Sequence, residues 1–456
     1  MTRKSGSSTD KFLWQPQTAA AGLVRREIAS LAESSPALVK LASRLVNETG
    51  TRLIDWVDHL VLGRGADAAK LAEELQAAGF ASHPREEPDV WRHLDGIFPA
   101  IVLTEASPRR LAIKVDAVDE FVAAQRLGDF SVEGAEGGQF RLTVFAREGD
   151  TELAVVERKG YSGFVPPEHD EARIAAAAEH RAAFESRARQ FDPEALGFDH
   201  ASRLIAQSIV DLGVDWTCDL FFAAERNYWQ SRNRAGQAQK SRQDALGLGW
   251  GNHDHHTYRS SRDHFTRLIA VLQQLGMRCR ERFYAGAEAG WGAQVLEQPV
   301  CQVTVFADVD LEPDELARDF AHAPLPPLAA LGTIGLWCTL HGEAFLEAGM
   351  HHLECQFDFD AAREQLASIG IETMAPFTDL PHLKQAFTAA EVWTVADTRI
   401  NAARVAGWID DSQAAQFQAS GALGSHLEIL ERNDGYKGFN QTGISQIIRA
   451  TDPRAC

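Results

Sequence analysis

The chain has 456 residues, and its 45 lysine and arginine residues against 64 aspartate and glutamate residues give a formal net charge of −19. So acidic a surface repels polyanions, which argues against nucleic acid or an anionic membrane as the main partner. Hydrophobic residues make up 45% of the chain. No apolar run reaches the roughly 18–20 residues that a membrane span requires. The six cysteines form no CxxC pair and predict neither a disulfide framework nor a structural zinc site. These properties predict a cytoplasmic protein of several domain-sized units.

The sequence repeats itself between its two halves. Each half contains an Asp-His pair on a predicted strand, followed by an amphipathic helix and a turn glycine, at 56–80 and again at 252–277. A second strand–helix unit follows at 109–125 and at 351–370, and further strands are predicted from alternating stretches such as RLTVFA and VCQVTVFADV. The halves also end alike, in VVERKGYSGF and ILERNDGYKGF. The repeat predicts two duplicated halves of two strand–helix–strand units each.

These boundaries predict a chain of four parts. They are an N-terminal lead-in and helix (1–50), a first repeat half (51–165), a helical linker region (166–250) and a second repeat half (251–456). The linker region contains a charged, alanine-rich stretch between prolines, which predicts a helix. A second polar helical stretch at 223–247 carries basic residues, and a solvated helix face explains them better than an RNA contact.

Three polar features of the second half lie on strands that the repeat makes equivalent. They are the histidine-rich segment 253–256, the pair 351–352 and Glu428. Two imidazoles and one carboxylate suit a divalent first-row metal and leave coordination positions open, as a catalytic metal requires. Each of these residues alone is more often an ordinary buried or surface group. Together they predict a metal site in the second half.

The first half lacks this set of residues. When the two halves are aligned, His59 occupies the position of the first histidine, but Arg110 aligns with His352 and Ala154 aligns with Glu428. If these polar residues were needed for the fold alone, both copies would be expected to keep them. The first half is therefore predicted to be a degenerate copy without a full ligand set.

The identity of the first histidine ligand depends on how the halves are aligned. An ungapped alignment matches His59 to His256, whereas an alignment of the Asp-His pairs matches it to His255. Strand alternation sends these two side chains to opposite faces, so one of them faces the metal. Alternation also puts Arg259 on the face of His255, where a guanidinium would bind a substrate carboxylate. This favours His255, while a surface ion pair remains the alternative role for Arg259.

The second half resembles the vicinal-oxygen-chelate superfamily, and more narrowly 4-hydroxyphenylpyruvate dioxygenase and its relatives. The resemblance rests on the order of its motifs, which are the Asp-His pair, the HHL segment, and EILER followed by GYKGFNQTG. The spacing His255-x-x-x-Arg259 is similar to that of the hydroxyglutarate synthase family, which are 2-oxoadipate dioxygenase/decarboxylases. The resemblance implies an α+β fold of duplicated βαβββ modules, with a curved mixed sheet in each half plus linking helices. It also implies Fe(II) as the cofactor, held by His255, His352 and Glu428.

The same resemblance assigns the substrate site. Arg259 would neutralise a substrate carboxylate, which makes it both the catalytic and a substrate-binding candidate. A turn with Phe439 and Asn440, followed by Gln441, would line the site, and a C-terminal helix from Gly443 would close over it as a lid. For Asn440, capping of that helix is an alternative role.

The implied reaction is oxidative decarboxylation and hydroxylation of a 2-oxo acid resembling 2-oxoadipate or an aryl pyruvate, with O2 as co-substrate. The expected partners are these small molecules, without nucleic acid or membrane, and a homodimer is one candidate assembly. One alternative is ring cleavage or isomerisation at the same metal. Another is a metal-free small-molecule binding protein on the same fold. The choice of 2-oxo acid, and of iron over manganese, stays open at this stage.

Overall fold

The computed structural model describes residues 14–63, 68–82, 89–104, 108–128, 130–440 and 451–455. Among these residues the strands form two mixed sheets of eight strands each and one two-stranded ribbon. Gln441 and the predicted lid helix from Gly443 lie outside the described residues, as does the start of the predicted N-terminal lead-in.

Helices precede the first sheet. The helical segments are α1 (Thr18–Ser34), α2 (Pro36–Arg44), a π-helical turn (Leu45–Thr49) and a 3₁₀ turn (Leu53–Trp56). Helix α1 ends at Ser34 and α2 begins at Pro36 because the backbone of Ser35 is extended. The Ser35 hydroxyl accepts a hydrogen bond from the Leu38 N–H and so caps α2. Pro36 then occupies the first turn of α2, where its missing N–H is not needed.

The first sheet holds the first repeat half. Its strands are β1 (Val57–Gly63), β2 (Phe80–Ser82), β3 (Asp89–His93), β4 (Ala100–Thr104), β5 (Arg109–Val115), β6 (Val132–Glu133), β7 (Phe140–Glu148) and β8 (Thr151–Arg158). Helix α3 (Ala68–Ala77) follows β1, and α4 (Val118–Ala124) follows β5. The strand order is β2-β3-β4-β1-β5-β8-β7-β6. Because β1 is parallel to β4 and β5 is parallel to β8, the sheet is two βαβββ modules joined along β1 and β5.

Four helices connect the sheets within the described chain. They are α5 (Glu171–Glu185), α6 (Ala195–Leu212), α7 (Val214–Gln230) and α8 (Arg234–Asp244). The predicted polar stretch at 223–247 spans parts of α7 and α8, which separate where the Asn233 side chain caps α8. The prediction of a solvated basic face is wrong for Arg226, which is 7% exposed because it packs beneath the second sheet beside His256. None of the described helices combines the length and apolarity needed to cross a bilayer.

The second sheet repeats the first. Its strands are β9 (His253–Arg259), β10 (Arg278–Tyr284), β11 (Trp291–Gln298), β12 (Val303–Asp310), β13 (His352–Gln356), β14 (Thr378–Leu380), β15 (Leu383–Phe387) and, after the ribbon of β16 (Val392–Trp393) and β17 (Ala422–Leu423), β18 (His426–Arg432). The order β10-β11-β12-β9-β13-β18-β15-β14 matches that of the first sheet position by position. Helix α9 (Phe265–Gln274) follows β9, α10 (Thr333–His341) precedes β13, and α11 (Phe359–Ser368) follows it. Helices α12 (Asp397–Val405) and α13 (Asp411–Ser420) are inserted between β16 and β17.

Short 3₁₀ turns complete the described secondary structure at Pro313–Ala317 and Pro453–Ala455. The predicted fold class is confirmed, because each sheet is a pair of βαβββ modules with helices added, the arrangement of the vicinal-oxygen-chelate fold. The division of the chain into four parts stays a prediction.

The two faces of the second sheet have different roles. One face packs on helices and joins the main hydrophobic core, through side chains such as Leu353, Tyr258 and Ile429. The alternate residues of the same strands point to the other face, which we call the inner face. On the first sheet the corresponding face contains a small apolar cluster, with Ala112 and Ala154 around Phe140. On the second sheet the inner face carries the polar residues described next.

Candidate metal centre

Three neighbouring strands in the middle of the second sheet bring four potential metal ligands together. His255 lies on β9, His352 and Glu354 on β13, and Glu428 on β18. One ligand atom from each residue lies within 4.8 Å of those of the others, and all four side chains are buried. Glu354 and Glu428 are register partners on parallel strands, so their carboxylates lie side by side. The structure therefore brings the three predicted ligands together and adds Glu354.

Two carboxylates in one buried cluster are unfavourable without a cation. His352 Nε2 lies 3.4 Å from Glu354 Oε1 and 3.5 Å from Glu428 Oε2, and His255 Nε2 contacts Glu354 Oε2. Burial raises the pKa of Glu428 well above its ordinary value, although the hydrogen bond from Gln385 and the charge of Arg432 offset part of the shift. A divalent cation would compensate the two negative charges that burial disfavours. The donor set thus fits a metal ion.

Both histidines of the cluster are neutral near pH 7. Burial lowers the pKa of His255 to about 4, against the opposing effect of the Asp254 carboxylate. Burial also holds the pKa of His352 well below its ordinary value, with a smaller contribution from the nearby His255. A neutral imidazole keeps a lone pair on one ring nitrogen, which metal coordination requires.

Surrounding residues orient the potential ligands. His255 Nδ1 lies 3.0 Å from Asp254 Oδ1, so an Nδ1–H that donates to Asp254 leaves the lone pair on Nε2, the atom that faces the cluster. Arg432 donates two hydrogen bonds of 2.9 Å to Asp254. Burial alone would raise the pKa of Asp254, but Arg432 and His255 outweigh it and keep this carboxylate ionised. Gln385 Nε2 donates a 2.7 Å hydrogen bond to Glu428 Oε1.

His255 and His256 point to opposite faces of β9. His256 points to the helix-covered face, where its Nε2 lies 3.3 Å from Arg226 Nη1 and its ring packs 5.0 Å from that of Phe222. His256 therefore does not join the cluster. Sequence alternation predicts this outcome once the Asp-His pairs of the halves are aligned.

Arg259 lies on the inner face, as predicted, at the far end of β9 from His255. Its guanidinium is buried, and Cζ lies 5.6 Å from the centroid of the Trp337 ring. Its Nε and Nη1 have no hydrogen-bond partner among the described residues. Burial lowers its pKa to about 10, with Asp308 opposing the shift, so it remains cationic at neutral pH. The alternative role of a surface ion pair does not fit this position, because the side chain is buried.

Phe439 and Asn440 take different positions. The Phe439 ring packs edge-on against His255 at 5.0 Å and against Phe306 at 4.4 Å, so it covers one side of the cluster. Asn440 Nδ2 donates a 2.9 Å hydrogen bond to the Phe377 carbonyl. Phe439 is thus placed beside the cluster, whereas the Asn440 amide is engaged with the loop before β14.

The first half keeps the surroundings of the cluster and lacks the cluster. His59 Nδ1 lies 2.6 Å from Asp58 Oδ2, and Asp58 accepts two hydrogen bonds of 2.9 Å from Arg158. The centroid of the Phe164 ring lies 4.9 Å from that of His59. These contacts repeat those of His255 and its neighbours. Strand register makes Ala112 and Ala154 the counterparts of Glu354 and Glu428.

The remaining counterpart in the first half is Arg110. It corresponds to His352 and is bound to Glu152 at 2.7 Å. An arginine and two alanines thus occupy, in the first half, the positions of a histidine and two glutamates in the second.

Glu354 is the residue that sequence reasoning missed. The signal was present, because His352 and Glu354 are two residues apart on a strand and must share a face. As with Ala154 and Glu428, this position carries an alanine in the first half, Ala112, and a carboxylate in the second, Glu354.

A second group of potential ligands consists of Glu194, His264 and Glu343. Its carboxylates already have protein partners, since Arg399 pairs with Glu194 at 3.1 Å and the Ser261 N–H donates to Glu343. A cavity of about 620 Å³ also lies between the two halves. Asp254, Arg432 and Phe439 line it, but none of the four clustered residues does.

No protein-family model matches the sequence, and a search of curated proteins finds no match. Among solved structures, a candidate hydrolase from Shewanella frigidimarina aligns with 49% of this chain and 98% of its own at 16% identity and a TM-score of 0.34. A mutant 4-hydroxymandelate synthase from Streptomyces coelicolor aligns over 88% of this chain and 98% of its own at 12% identity and a TM-score of 0.29.

A methylmalonyl-CoA epimerase from Mycobacterium tuberculosis aligns over 40% of this chain and 88% of its own, at 14% identity and a TM-score of 0.23. Similarities this low carry no conclusion about the reaction of this chain. The functional argument therefore rests on the fold topology and on the residues of the centre.

Proposed function

We propose that the protein is a non-haem Fe(II)-dependent dioxygenase that oxidatively decarboxylates and hydroxylates a 2-oxo acid. His255, His352 and Glu428 are the proposed ligands, and Arg259 is the proposed carboxylate-binding residue. The proposal is carried by one observation, a buried cluster of two neutral histidines and carboxylates on the inner face that Arg259 shares. Two histidines and one carboxylate on one side of a metal are the donor set of non-haem Fe(II) oxygenases.

The number of protein ligands follows from the reaction. A chelating 2-oxo acid and O2 together need three coordination positions, which leaves room for three protein ligands in a six-coordinate site. Glu428 is favoured over Glu354 as the carboxylate because a hydrogen bond from Gln385 fixes the orientation of its side chain. In this proposal Glu354 stays beside the metal without occupying a substrate position.

Iron, when bound, would activate O2, which is reduced as the 2-oxo acid is oxidised and loses CO2. The residues of the chain orient the reactants and exclude water. Asp254 holds the proton on His255 Nδ1 so that Nε2 stays available. Phe439 and Phe306 pack over His255 and keep water from that side. Arg259 binds and orients a carboxylate of the substrate.

The observation that separates this proposal from ring cleavage is that Nε and Nη1 of the buried Arg259 have no hydrogen-bond partner among the described residues. A catechol carries no carboxylate, so it would not supply an acceptor for the two guanidinium nitrogens that lack one in the described part of the chain. A substrate with a carboxylate would supply the missing acceptor. The cytoplasmic location and a homodimer stay predictions.

The test is anaerobic loading with Fe(II), followed by oxygen uptake and CO2 release with a panel of 2-oxo acids. We expect about one iron per chain, because one cluster of this type is found in the described chain. Oxygen uptake accompanied by CO2 is the expected result. Uptake without CO2 would favour ring cleavage, and ligand binding without uptake in the iron-loaded protein would favour a binding protein.

A further inference from the structure

Arg259 and Asp308 are register partners on the parallel strands β9 and β12, so both side chains lie on the inner face. Both are buried, at 3% and 4% exposure. They nevertheless form no ion pair within 4.0 Å among the described residues. Asp308 Oδ1 has no hydrogen-bond partner there, and neither have Nε and Nη1 of Arg259.

Unpartnered buried groups of this kind are unfavourable, since each has lost its water without gaining a protein partner. The same strand shows the usual solution two residues away. Asp310 Oδ1 and Oδ2 accept hydrogen bonds of 3.0 and 2.8 Å from the Ile334 and Gly335 N–H groups at the start of α10. Asp308 has no such arrangement, which indicates that its partner is not part of the described chain.

Further unpartnered atoms connect this pair to the candidate metal centre. Thr257 lies between His255 and Arg259 on the inner face of β9, and its buried hydroxyl has no partner among the described residues. His426 is the register partner of His352, and its Nε2 also lacks one. A strand rises about 3.3 Å per residue, so His255 and Arg259 are separated by about 13 Å along the strand. A short substrate chain held at the metal would extend along this row.

We propose that Asp308 is a specificity residue, whose protonated carboxyl donates a hydrogen bond to the same substrate carboxylate that Arg259 binds. The two residues then form a two-point site for a carboxylate at the end of the substrate remote from the metal. This inference rests on the proposed function, since the other end of the substrate is taken to be held at the centre. It makes the substrate a 2-oxo dicarboxylate and disfavours an aryl pyruvate.

The electrostatic surroundings are consistent with a protonated Asp308. Burial raises the pKa of Asp308 to about 8, although the charge of Arg259 lowers it in part. Arg259 faces it from β9, and Ala293 is its uncharged register partner on β11. Cys338, Asp452 and Asp310 are the further titratable groups that interact electrostatically with the guanidinium. A neutral carboxyl has one O–H donor and carries no negative charge. Together with the N–H donors of the guanidinium it can bind an incoming carboxylate, as a site for a dicarboxylate requires.

The experiment compares Asp308→Asn and Asp308→Ala in the Fe(II)-loaded full chain under anaerobic conditions. Isothermal titration calorimetry measures the binding of 2-oxoadipate and of 2-oxohexanoate, which has the same chain length without the second carboxylate. Asp319→Asn serves as the control, since it makes the same substitution at an exposed position of the chain. Circular dichroism checks that each variant folds.

For Asp308→Ala we expect the affinity for 2-oxoadipate to fall by about 10- to 100-fold, the effect of losing a hydrogen bond to a charged group. The affinity for 2-oxohexanoate should change less than about threefold. Asp308→Asn should retain most of the preference, because its amide still donates.

Equal preference for 2-oxoadipate in wild type and Asp308→Ala would overturn the inference and leave the proposed function standing. Loss of the preference in Asp308→Asn would also overturn it, because Asp308 would then act as an acceptor. Absence of binding of both compounds to the wild type would contradict the proposed function and, with it, this inference.

Discussion

Arg432 holds Asp254 through two hydrogen bonds of 2.9 Å each, and Arg158 holds Asp58 through two bonds of the same length in the first half. In both halves the held carboxylate bonds Nδ1 of the following histidine. The contacts that orient this histidine therefore occur in both halves, whereas the other potential metal ligands occur in the second half. The first half thus provides a natural control for the second.

The first prediction concerns this support. Asp254→Asn should weaken Fe(II) binding by about 10- to 100-fold, because the amide orients and polarises His255 less well than a carboxylate. Asp58→Asn removes the equivalent carboxylate of the first half and should leave Fe(II) affinity unchanged. Anaerobic competition with a chelator measures both affinities. A similar loss in the two variants would show that the effect comes from the fold instead of the metal.

The second prediction separates the two carboxylates of the cluster. Glu428→Ala and His352→Ala should each abolish binding of Fe(II), whereas Glu354→Ala should keep about one iron per chain with a reduced affinity. Metal analysis after gel filtration measures the stoichiometry. Retention of iron by Glu428→Ala together with its loss from Glu354→Ala would make Glu354 the carboxylate ligand.

The third prediction concerns the stability of the ligand-free protein. Arg259→Met removes a buried charge without a described hydrogen-bond partner and keeps most of the side-chain volume, so it should raise the free energy of unfolding by about 1–3 kcal/mol. The same variant should lose its preference for 2-oxoadipate. Denaturant unfolding of the apo protein measures the first effect. A loss of stability in Arg259→Met would indicate a structural partner for the guanidinium and remove the argument for a ligand.

The fourth prediction is a pH dependence. Asp308 has a raised pKa of about 8 in the free protein, and the proton-bearing form is the one that donates. Above that pH the donor is lost and a negative charge lies beside the substrate carboxylate, so the Kd for 2-oxoadipate should rise about tenfold per pH unit. Binding should be nearly constant between pH 6 and the onset of this rise. In Asp308→Asn the alkaline rise should disappear, whereas its persistence would assign the titration to another group.

Much of the fold was predictable because the repeat is visible in the sequence. The Asp-His strands, the strand–helix units and the closing segments VVERKGYSGF and ILERNDGYKGF fix the relative positions of the repeated strands and helices, and β9, β13 and β18 lie where the repeat put them. The duplicated register then made Arg110 and Ala154 the correct counterparts of His352 and Glu428. A duplicated fold thus carries three-dimensional information in a single sequence.

Other features were not predictable from local patterns. Helix α6 and the inserted helices α12 and α13 have no counterpart in the repeat, so no comparison between the halves indicated them. The burial of Arg226 depends on how α7 packs beneath β9, which periodicity does not specify. Asp308 could not be distinguished from Asp310, because both alternate with apolar residues on β12 and their difference arises from the start of α10.

The central claim is tested most directly by following the oxygen atoms of the reaction. The Fe(II)-loaded protein is given a 2-oxo dicarboxylate under ¹⁸O2, and the product and released CO2 are analysed by mass spectrometry. We predict about one CO2 for each O2 consumed and a product that carries label in both the new carboxylate and a new hydroxyl group. A product that keeps all the carbon atoms of the substrate, or one without label, would contradict the account.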